Sequence, residues 1–389
     1  MSTSSVTDKK IDLSFIFPCL NEKDTIEGCL NELQEILEKT NINYEIIISD
    51  NGSTDGSIEI AKKHPVRLVH TKTKGYGEAL KNGFAHAKGK YIAFADIDGS
   101  YPLAYITQMY KKIKETDADM VIASRTTGKI EREAMPFLHR YLGTPILTKI
   151  INWLFHGNLT DCNSGFRIMN KASYEQWQTR SSGMEFASEL LIKALKAKAK
   201  IIEISAGLNK DKRTKAPHLN TWKDGMRHLL FILSEAPKLF ESVGLFAFLT
   251  FSILQILSFF IYPLHIGHIT ILNYHSQIIF IILSSLGIQI WGFSMLLYLF
   301  NTDEHPYAIS KYLMNISEEK LLLILIAVIG LVAWCIASVF IRWAQVNFQE
   351  LNLLYDLLFY VYIVTTLCSG VFSLLSLHIA KRILLANHG

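Results

Sequence analysis

Two patterns of hydrophobic and polar residues divide the chain. As far as about residue 123, short apolar runs alternate with stretches in which apolar residues recur every three or four positions. The short runs predict buried strands, and the periodic stretches predict amphipathic helices. Their alternation predicts an α/β fold, in which helices cover both faces of a mostly parallel sheet. The predicted strands cover 13–18, 44–50, 66–70, 91–95 and 120–123, and the predicted helices cover 22–39, 55–63, 76–87 and 103–114.

A different pattern begins after about residue 240, where charged residues become rare. Four stretches there contain no Asp, Glu, Lys or Arg, and they cover 243–264, 276–300, 321–341 and 357–380. A helix of about 20 apolar residues crosses the hydrocarbon core of a bilayer. Residues 243–389 therefore predict an α-helical transmembrane domain of about four helices, which makes the protein an integral multi-pass membrane protein.

The distribution of charge predicts which way the chain crosses the membrane. The loop at 301–320 and the tail contain more Lys and Arg than the opposite loops, which offer only Arg342. Loops rich in Lys and Arg stay in the cytosol. The first residues are polar and contain no apolar segment of the kind found in a cleaved signal peptide. We therefore expect the first domain and both termini to be cytosolic, at the inner membrane if the protein is bacterial.

Composition excludes several other classes of protein. The net charge is only +4, and the basic residues form no long tract, so a nucleic-acid partner is not expected. The five cysteines include no CxxC pair, which predicts neither a disulfide framework nor a zinc site.

Polar residues follow three of the predicted strands, at 18–22, 50–56 and 96–100. The carboxyl ends of parallel strands form the usual ligand-binding edge of such a sheet. We expect Asp50 to accept hydrogen bonds from a nucleotide base or ribose. For Ser53, Thr54 and Asp55 alone, the alternative that they are ordinary turn and capping residues stays open.

Asp96 and Asp98 carry the most specific chemistry. Two carboxylates one residue apart, directly after an apolar strand, can both turn toward a hard divalent cation that also binds phosphate oxygens. Gly99 permits a close approach of the backbone. Upstream, Gly75 precedes a predicted helix whose free N–H groups suit a phosphate, although a plain glycine turn explains this segment equally well.

Several motifs resemble those of inverting family 2 glycosyltransferases with the GT-A fold, and they occur in the same order. These are residues 17–22 (FPCLNE), 49–56 (SDNGSTDG), 74–77 (KGYG), 96–98 (DID) and 124–125 (SR). Two further segments resemble the dolichol- or polyprenyl-phosphate sugar synthase branch, at 161–167 (DCNSGFR) and 183–189 (GMEFASE). Synthases of dolichol-phosphate mannose commonly have Leu-Gln or Leu-Ser and then His-Pro where this chain has 99–102 (GSYP).

The resemblance implies transfer of a sugar from a GDP- or UDP-sugar to a polyprenyl phosphate, with inversion. It implies that Asp96 and Asp98 hold Mg²⁺ or Mn²⁺ on the donor diphosphate, and that Asp50 and Glu22 frame the nucleoside. The predicted donor-binding residues are Pro18, Asn21, Glu22, Asp50, Gly75 and Asp96.

A phosphate nucleophile is largely ionised at neutral pH, since its second pKa is about 6. No catalytic base is therefore required, and cationic side chains that align and neutralise the phosphates become the main candidates. The predicted catalytic residues are Asp98, Arg125, Arg167 and Arg213. The predicted ligands of the acceptor phosphate are Arg140, Arg213 and Lys215.

Glu185 and Glu189 are spaced so that both carboxylates would lie on one face of a helix. They are candidate sugar-binding residues, and the alternative is a solvated acidic face.

The predicted domains are a cytosolic GT-A domain (1–219), an interfacial amphipathic helix (220–242) and the transmembrane domain (243–389). On the interfacial helix, one face would hold Trp222, Met226, Leu229, Leu230 and Leu233. The alternative is a basic loop followed by an ordinary surface helix.

Two other functions stay open. A processive polysaccharide synthase is disfavoured because the only Arg-Trp pair, Arg342-Trp343, follows the third span rather than preceding the first. A flippase or scaffold built on an inactive transferase is disfavoured by the presence of Asp96 and Asp98. The sequence leaves the sugar, the base, the lipid length and the oligomeric state open.

Overall fold

The computed structural model describes residues 10–213, 221–261, 264–266, 269–301, 304–349 and 354–388. The chain divides into two compact units, Met1–Leu233 and Ser234–Gly389.

The first unit contains a seven-stranded sheet in the order β3-β2-β1-β4-β6-β5-β7. Its strands are β1 Leu13–Cys19, β2 Tyr44–Asp50, β3 Arg67–His70, β4 Tyr91–Phe94, β5 Met120–Ser124, β6 Arg167–Asn170 and β7 Ile201–Ser205. Strand β6 runs antiparallel to its neighbours β4 and β5, and the other pairs are parallel. The predicted mostly parallel α/β sheet is therefore confirmed.

Helices cover both faces of this sheet. They are α1 Ile26–Glu38, α2 Ser57–Ala61, α3 Tyr76–His86, α4 Tyr105–Thr116, a π-helix His139–Gly143, α5 Thr144–Phe155, α6 Lys171–Trp177, α7 Phe186–Lys196 and α8 Thr221–Ser234. On one face, α1 and α4 pack their apolar residues against alternate residues of β1. On the other face, the Phe84 ring of α3 lies 5.5 Å from that of Phe94 and 6.2 Å from that of Phe186 in α7. Every residue of β1 is buried, as expected of a central strand.

The antiparallel strand β6 has a direct consequence for the site. Because β6 lies between β4 and β5 and runs against them, its first residue Arg167 pairs with Phe94 at the carboxyl end of β4. The loop before β6, residues 161–166, therefore reaches the same edge of the sheet as the loops that follow β4 and β5.

Four long helices form most of the second unit. They are α9 Pro237–Phe260, α10 Tyr274–Phe300, α12 Glu318–Gln345 and α13 Leu354–His388, with the short helix α11 Ala308–Met314 between α10 and α12. Two short strands, β8 Leu264–Ile266 and β9 Ile269–Ile271, form a hairpin between α9 and α10. All four long helices are long and apolar enough to cross a membrane, which confirms the predicted four apolar helices.

The segment predicted as one helix over 220–242 consists of two helices in the structure. Helix α8 ends at Ser234, and α9 begins at Pro237. Proline cannot continue a helix because it lacks an N–H group and its ring clashes with the preceding turn, but it fits well in the first turn of a new helix. Pro237 therefore explains the break.

Candidate active site

The residues predicted for donor and metal binding lie along one edge of the sheet. Strands β1, β2, β4 and β5 are all oriented alike, so that the loops after Cys19, Asp50, Phe94 and Ser124 begin at the same edge. Asp96 and Asp98 follow β4, and Arg125 follows β5. The topology of the sheet thus gathers residues that are far apart in sequence.

At the carboxyl end of β2, Asp50 is buried and fixed by hydrogen bonds. Its Oδ1 accepts a 2.9 Å bond from the Ser53 backbone N–H, and its Oδ2 lies 3.1 Å from Nδ1 of His70. Burial alone would raise the pKa of Asp50, but hydrogen bonds from Ser53, His70 and Gly52 outweigh it and lower the pKa. Asp50 is therefore an ionised acceptor at the carboxyl end of β2.

Pro18 and Asn21 shape the neighbouring loop. Pro18 lies within β1, in register with Ser49 of β2. Asn21 has a left-handed backbone, with φ of 60°, and its Oδ1 accepts a 2.8 Å bond from the Thr54 backbone N–H. Asn21 therefore ties the loop after β1 to the loop after β2.

Gly75 is needed for a close backbone contact. Its φ is 143°, and a Cβ atom at this position would lie 2.1 Å from the carbonyl oxygen of Ser182. Its N–H donates a 2.8 Å bond to Oδ1 of Asn51, and the Glu78 N–H donates to the Ser182 carbonyl. Two of the N–H groups at the start of this helix are therefore bonded to protein oxygens.

Asp96 lies at the centre of the site. Tyr76 donates a 2.8 Å hydrogen bond from its hydroxyl to Oδ1 of Asp96. Gly165 approaches Oδ2 so closely that a Cβ atom there would lie 2.4 Å from it. Burial, together with the charge of Asp98, raises the pKa of Asp96 to about 7. A positive charge beside Asp96 would therefore favour the ionised form of its carboxyl group.

Asp98 is held by its own loop and by one arginine. Its Oδ1 accepts bonds of 2.9 Å and 2.6 Å from the backbone N–H and hydroxyl of Ser100, and its Oδ2 lies 3.2 Å from Nη2 of Arg213. Among the described residues, no group of three or more His, Cys, Asp or Glu side chains could hold a metal ion. Mg²⁺ commonly uses one or two carboxylates and completes its shell with water and substrate phosphates. The pair Asp96 and Asp98 fits that kind of site.

Arg213 joins three carboxylates. Its guanidinium bonds Asp211 through Nε and Nη2, at 2.8 Å and 2.6 Å, and it reaches Glu22 Oε1 and Asp98 Oδ2, each at 3.2 Å. Burial raises the pKa of Glu22, although Arg213 opposes that shift. The structure thus places Arg213 at the Glu22 and Asp98 side of the site. Lys215, which was predicted beside it, lies outside the described residues.

Arg125 forms a buried pair with Asp161. Its Nε and Nη2 donate bonds of 2.7 Å and 2.8 Å to the two carboxylate oxygens, and its backbone N–H adds a third bond at 3.0 Å. Burial opposes ionisation of Asp161, but Arg125 more than compensates, so that the pKa of Asp161 is lowered. Within the described part of the chain, Nη1 of Arg125 has no hydrogen-bond partner, and the arginine lines a cavity.

Arg167 has a different environment. Its side chain is fully buried, and it donates to the carbonyl oxygens of Cys162, Ser164 and Ala187 at 2.9 to 3.0 Å. Burial lowers its pKa. These bonds connect the loop before β6 with the first turn of α7, so Arg167 fixes the position of that loop beside the site.

A cavity of about 370 Å³ is lined in part by Asp96 and Arg125. Most of its wall is apolar and comes from the segment 135–147, the start of α7 and the helix α8. The apolar lining residues are Met135, Leu138, Leu142, Ile146, Leu147, Met184, Ala187, Met226 and Leu229. Asn163, His139 and His228 add polar groups. The cavity therefore combines an apolar wall with charged groups at one end.

Large apolar side chains are also exposed around this segment. Phe137 is 73% exposed and Tyr141 is 60% exposed, and on α8 Met226 is 54% exposed. A contiguous apolar surface of this kind usually marks a contact with a membrane or a partner. Arg140 lies within this segment, with its guanidinium 5.3 Å from the Tyr141 ring centroid, and it does not line the cavity.

The carboxylates of Glu185 and Glu189 bond to backbone N–H groups. Glu189 is buried and accepts bonds of 2.8 Å and 2.7 Å from Arg180 and Ser181, while Glu185 accepts one of 3.1 Å from Gly183. Both residues therefore hold the loop before α7.

Three residues of this site were not predicted from the sequence: Tyr76, Tyr101 and Asp161. The Tyr101 hydroxyl accepts a 2.6 Å bond from the Gly165 N–H, which fixes the loop beside Asp96. Tyr76 and Asp161 both lie inside segments that the motifs had marked, but their partners became visible only in three dimensions.

Comparison with known proteins shows what the first unit is similar to. Residues 14–177 match the family Glycosyl transferase family 2. The chain is 34% identical over 243 residues to the low-salt glycan biosynthesis hexosyltransferase Agl6 of Haloferax volcanii, over 62% of this chain and 58% of that protein. It is 28% identical over 210 residues to the dolichol-phosphate mannosyltransferase of Pyrococcus furiosus, over 50% of this chain and 56% of that protein.

A third relative is the dolichyl-phosphate beta-glucosyltransferase of Saccharomyces cerevisiae. It is 26% identical over 222 residues, over 51% of this chain and 66% of that protein. The chain therefore spans between about half and two thirds of the length of these curated relatives.

Proposed function

We propose that this chain, which contains a glycosyl transferase family 2 domain over residues 14–177, transfers a sugar from a nucleotide sugar to a polyprenyl phosphate, with inversion at the anomeric carbon. The observation that carries the proposal is the cavity whose wall is apolar and whose inner end holds Asp96 and Arg125. An isoprenoid phosphate needs an apolar surface for its chain and cations for its head group. The two relatives named for dolichol phosphate support this class of acceptor.

The donor binds at the ends of β1 and β2 in this proposal. Asp50 and Glu22 take the nucleoside of a GDP- or UDP-sugar, and Pro18, Asn21 and Gly75 shape the loops around it. The relatives are named for mannosyl, glucosyl and hexosyl transfer, so we assign no particular sugar.

Asp96 and Asp98 would hold Mg²⁺ or Mn²⁺ beside the donor diphosphate. Such an ion neutralises the charge that develops on a departing diphosphate. The chain's own contribution is to fix the two carboxylates, because Tyr76 bonds Asp96 and Ser100 bonds Asp98. Arg213 contacts Glu22 and Asp98, and we therefore assign it to the donor diphosphate rather than to the acceptor.

The acceptor phosphate meets Arg125 in this proposal. Two of the three guanidinium nitrogens are fixed by Asp161, which leaves Nη1 oriented without further reorganisation. The phosphate is largely ionised at neutral pH, so attack on the anomeric carbon requires no base from the protein. We retain Arg140 and Lys215 as candidates for guiding the phosphate, and Glu185 and Glu189 as residues that shape the sugar subsite through their loop.

We further propose that residues 1–219 act in the cytosol, that 220–242 lie at the membrane surface and that 243–389 span the membrane, with both termini cytosolic. The basic residues Lys311, Lys320, Lys381 and Arg382 support this orientation. A topology reporter fused after residue 389 should be active in the cytosol, and activity on the opposite side would contradict it.

A reconstituted reaction tests the proposed activity. The purified full-length protein should release nucleoside diphosphate only when a GDP- or UDP-sugar and a polyprenyl phosphate are both present, and mass spectrometry should detect one sugar per lipid. Asp98→Asn should lose most of this activity, whereas Asp117→Asn, which changes an exposed aspartate at the end of α4, should keep it.

The same assay separates the alternatives. A polymer of many sugars would indicate a processive synthase. Release of nucleotide that does not depend on lipid, or no turnover with any donor, would contradict the proposed acceptor or the proposed enzyme.

A further inference from the structure

A second cavity lies in the second unit, at the end of the bundle where α9 begins. It has a volume of about 360 Å³ and lies between the end of α10, the helix α11 and the end of α13. Its polar lining residues are His305, Lys311, Asn315 and Lys381, and its apolar lining residues are Leu299, Pro306 and Met314. Among the described residues, no carboxylate lines it.

Among the residues that the structure describes, neither ammonium group of this cavity has an anionic partner. Nζ of Lys381 donates to the carbonyl oxygen of Met314 at 3.2 Å and lies 3.5 Å from Oδ1 of Asn315, and both acceptors are neutral. Lys311 has no side-chain partner in the part of the chain that the structure describes. By contrast, Arg342 at the opposite end of the bundle is paired with Asp356 at 3.1 Å. Two uncompensated cations around one cavity create a local potential that attracts an anion.

The surroundings place this cavity at the boundary between membrane and water. The apolar runs of α10 and α13 end at Phe300 and just before Lys381. Helix α11 exposes Ile309 and Tyr312, while its Ser310 is buried and accepts a 2.8 Å bond from Trp291. Tyrosine is enriched at the head-group level of membranes, because its ring is apolar and its hydroxyl is polar.

We propose that this cavity binds the phosphate of an anionic membrane lipid, with Lys311 and Lys381 as its charge partners and with Asn315 and His305 as additional polar contacts. Lysine is a compact point charge that suits a phosphate oxygen. The apolar residues Leu299 and Met314 give the lipid chains a surface beside the head group, which free phosphate would not use. The bound lipid would connect the ends of α10, α11 and α13.

Native mass spectrometry of the full-length protein in detergent tests this site. The protein is titrated with phosphatidylglycerol, which carries a phosphate and a net negative charge, and separately with phosphatidylcholine, which is neutral overall. The wild type should bind phosphatidylglycerol more tightly. The double variant Lys311→Gln/Lys381→Gln should lose about thirtyfold of that affinity, because a partly exposed ion pair between each lysine and the lipid phosphate contributes about 1 kcal/mol.

Two matched variants keep the test decisive. Lys320→Gln/Arg382→Gln removes the same charge from the same end of the bundle without changing the cavity, and it should bind like the wild type. Lys311→Gln alone removes a side chain without a partner among the described residues, so it should fold normally and lose about fivefold. Equal losses in both double variants would overturn the proposal, since surface charge alone would then explain binding. Displacement of the lipid by millimolar inorganic phosphate would overturn the assignment to a lipid.

Discussion

The contacts of Arg213 lead to a prediction about metal binding. Its guanidinium occupies the side of Asp98 that faces Glu22, with both contacts at 3.2 Å. A divalent cation that binds Oδ2 of Asp98 must compete with Arg213 for that oxygen. Replacing Arg213 with Met should therefore increase the affinity for Mn²⁺ in the absence of nucleotide.

The size of the effect follows from the contact that is lost. A hydrogen bond between charged groups contributes about 1.5–3 kcal/mol to stability. The Asp98 contact is long and Arg213 is partly accessible, so the lower value applies, and it corresponds to about a tenfold gain in Mn²⁺ affinity. Arg213→Lys should lie between the wild type and Arg213→Met, because lysine keeps the charge but loses the planar fork.

The assay measures binding rather than catalysis. Free aqueous Mn²⁺ is counted by electron paramagnetic resonance while the purified full-length protein is titrated without nucleotide. Lys210→Met is the matched control, because Lys210 lies in the same loop and is paired with Glu133 at 2.7 Å, away from Asp98. An unchanged or weaker Mn²⁺ affinity in Arg213→Met, with Lys210→Met at the wild-type value, would refute the competition.

Three further predictions concern the first cavity and the residues that support it. Asp161→Ala should reduce the free energy of unfolding of the full-length protein by about 3–5 kcal/mol, because it leaves the buried guanidinium of Arg125 without its partner. Chemical denaturation measures this free energy, and a loss below about 1 kcal/mol would contradict the prediction. Tyr76→Phe should fold normally but weaken Mn²⁺ binding in the presence of nucleoside diphosphate by about tenfold, because Asp96 loses its 2.8 Å hydrogen bond. Calorimetric titration measures this affinity. An unchanged affinity would show that the bond does not position Asp96. Leu142→Gln should raise the KM for polyprenyl phosphate several-fold and leave the KM for the nucleotide sugar unchanged, because Leu142 belongs to the apolar wall of the cavity. Equal changes in the two KM values would contradict the placement of Leu142 beside the acceptor.

Much of the first unit could be predicted because the strands themselves, and the edge of the sheet at which the site lies, follow from local patterns. Buried strands such as β1 and β4 appear as apolar runs, and parallel strands place the residues that follow them at one edge. The antiparallel strand β6 could not be recognised in this way. It has only four residues, Arg167–Asn170, and its position between β4 and β5 depends on pairing with distant strands.

The roles of the arginines show a different limit. The motifs marked Arg125, Arg167 and Arg213 as cations close to phosphates, but a sequence does not reveal the partner of a charged side chain. Arg167 donates to three carbonyl oxygens, Arg125 donates from two nitrogens to a buried carboxylate, and Arg213 contacts carboxylates in the loops after β1 and β4. The partners that define the site, Asp161 for Arg125 and Glu22 for Arg213, come from loops that are far from these arginines in sequence.

The site therefore combines two kinds of support. Beside the cavity, Arg125 is held by a bidentate pair with the buried Asp161, and Asp96 is held by the hydroxyl of Tyr76. On the donor side, Arg213 reaches Glu22 and Asp98 only through contacts of 3.2 Å, which a metal-bound diphosphate could replace at little cost. Preorganised hydrogen-bond donors stabilise the charge that develops in the transition state, whereas contacts that exchange easily allow substrate binding and product release. In the proposed reaction, the firmly held Asp96 and Arg125 would serve the metal ion and the lipid phosphate, and Arg213 would lie where the nucleotide enters and leaves.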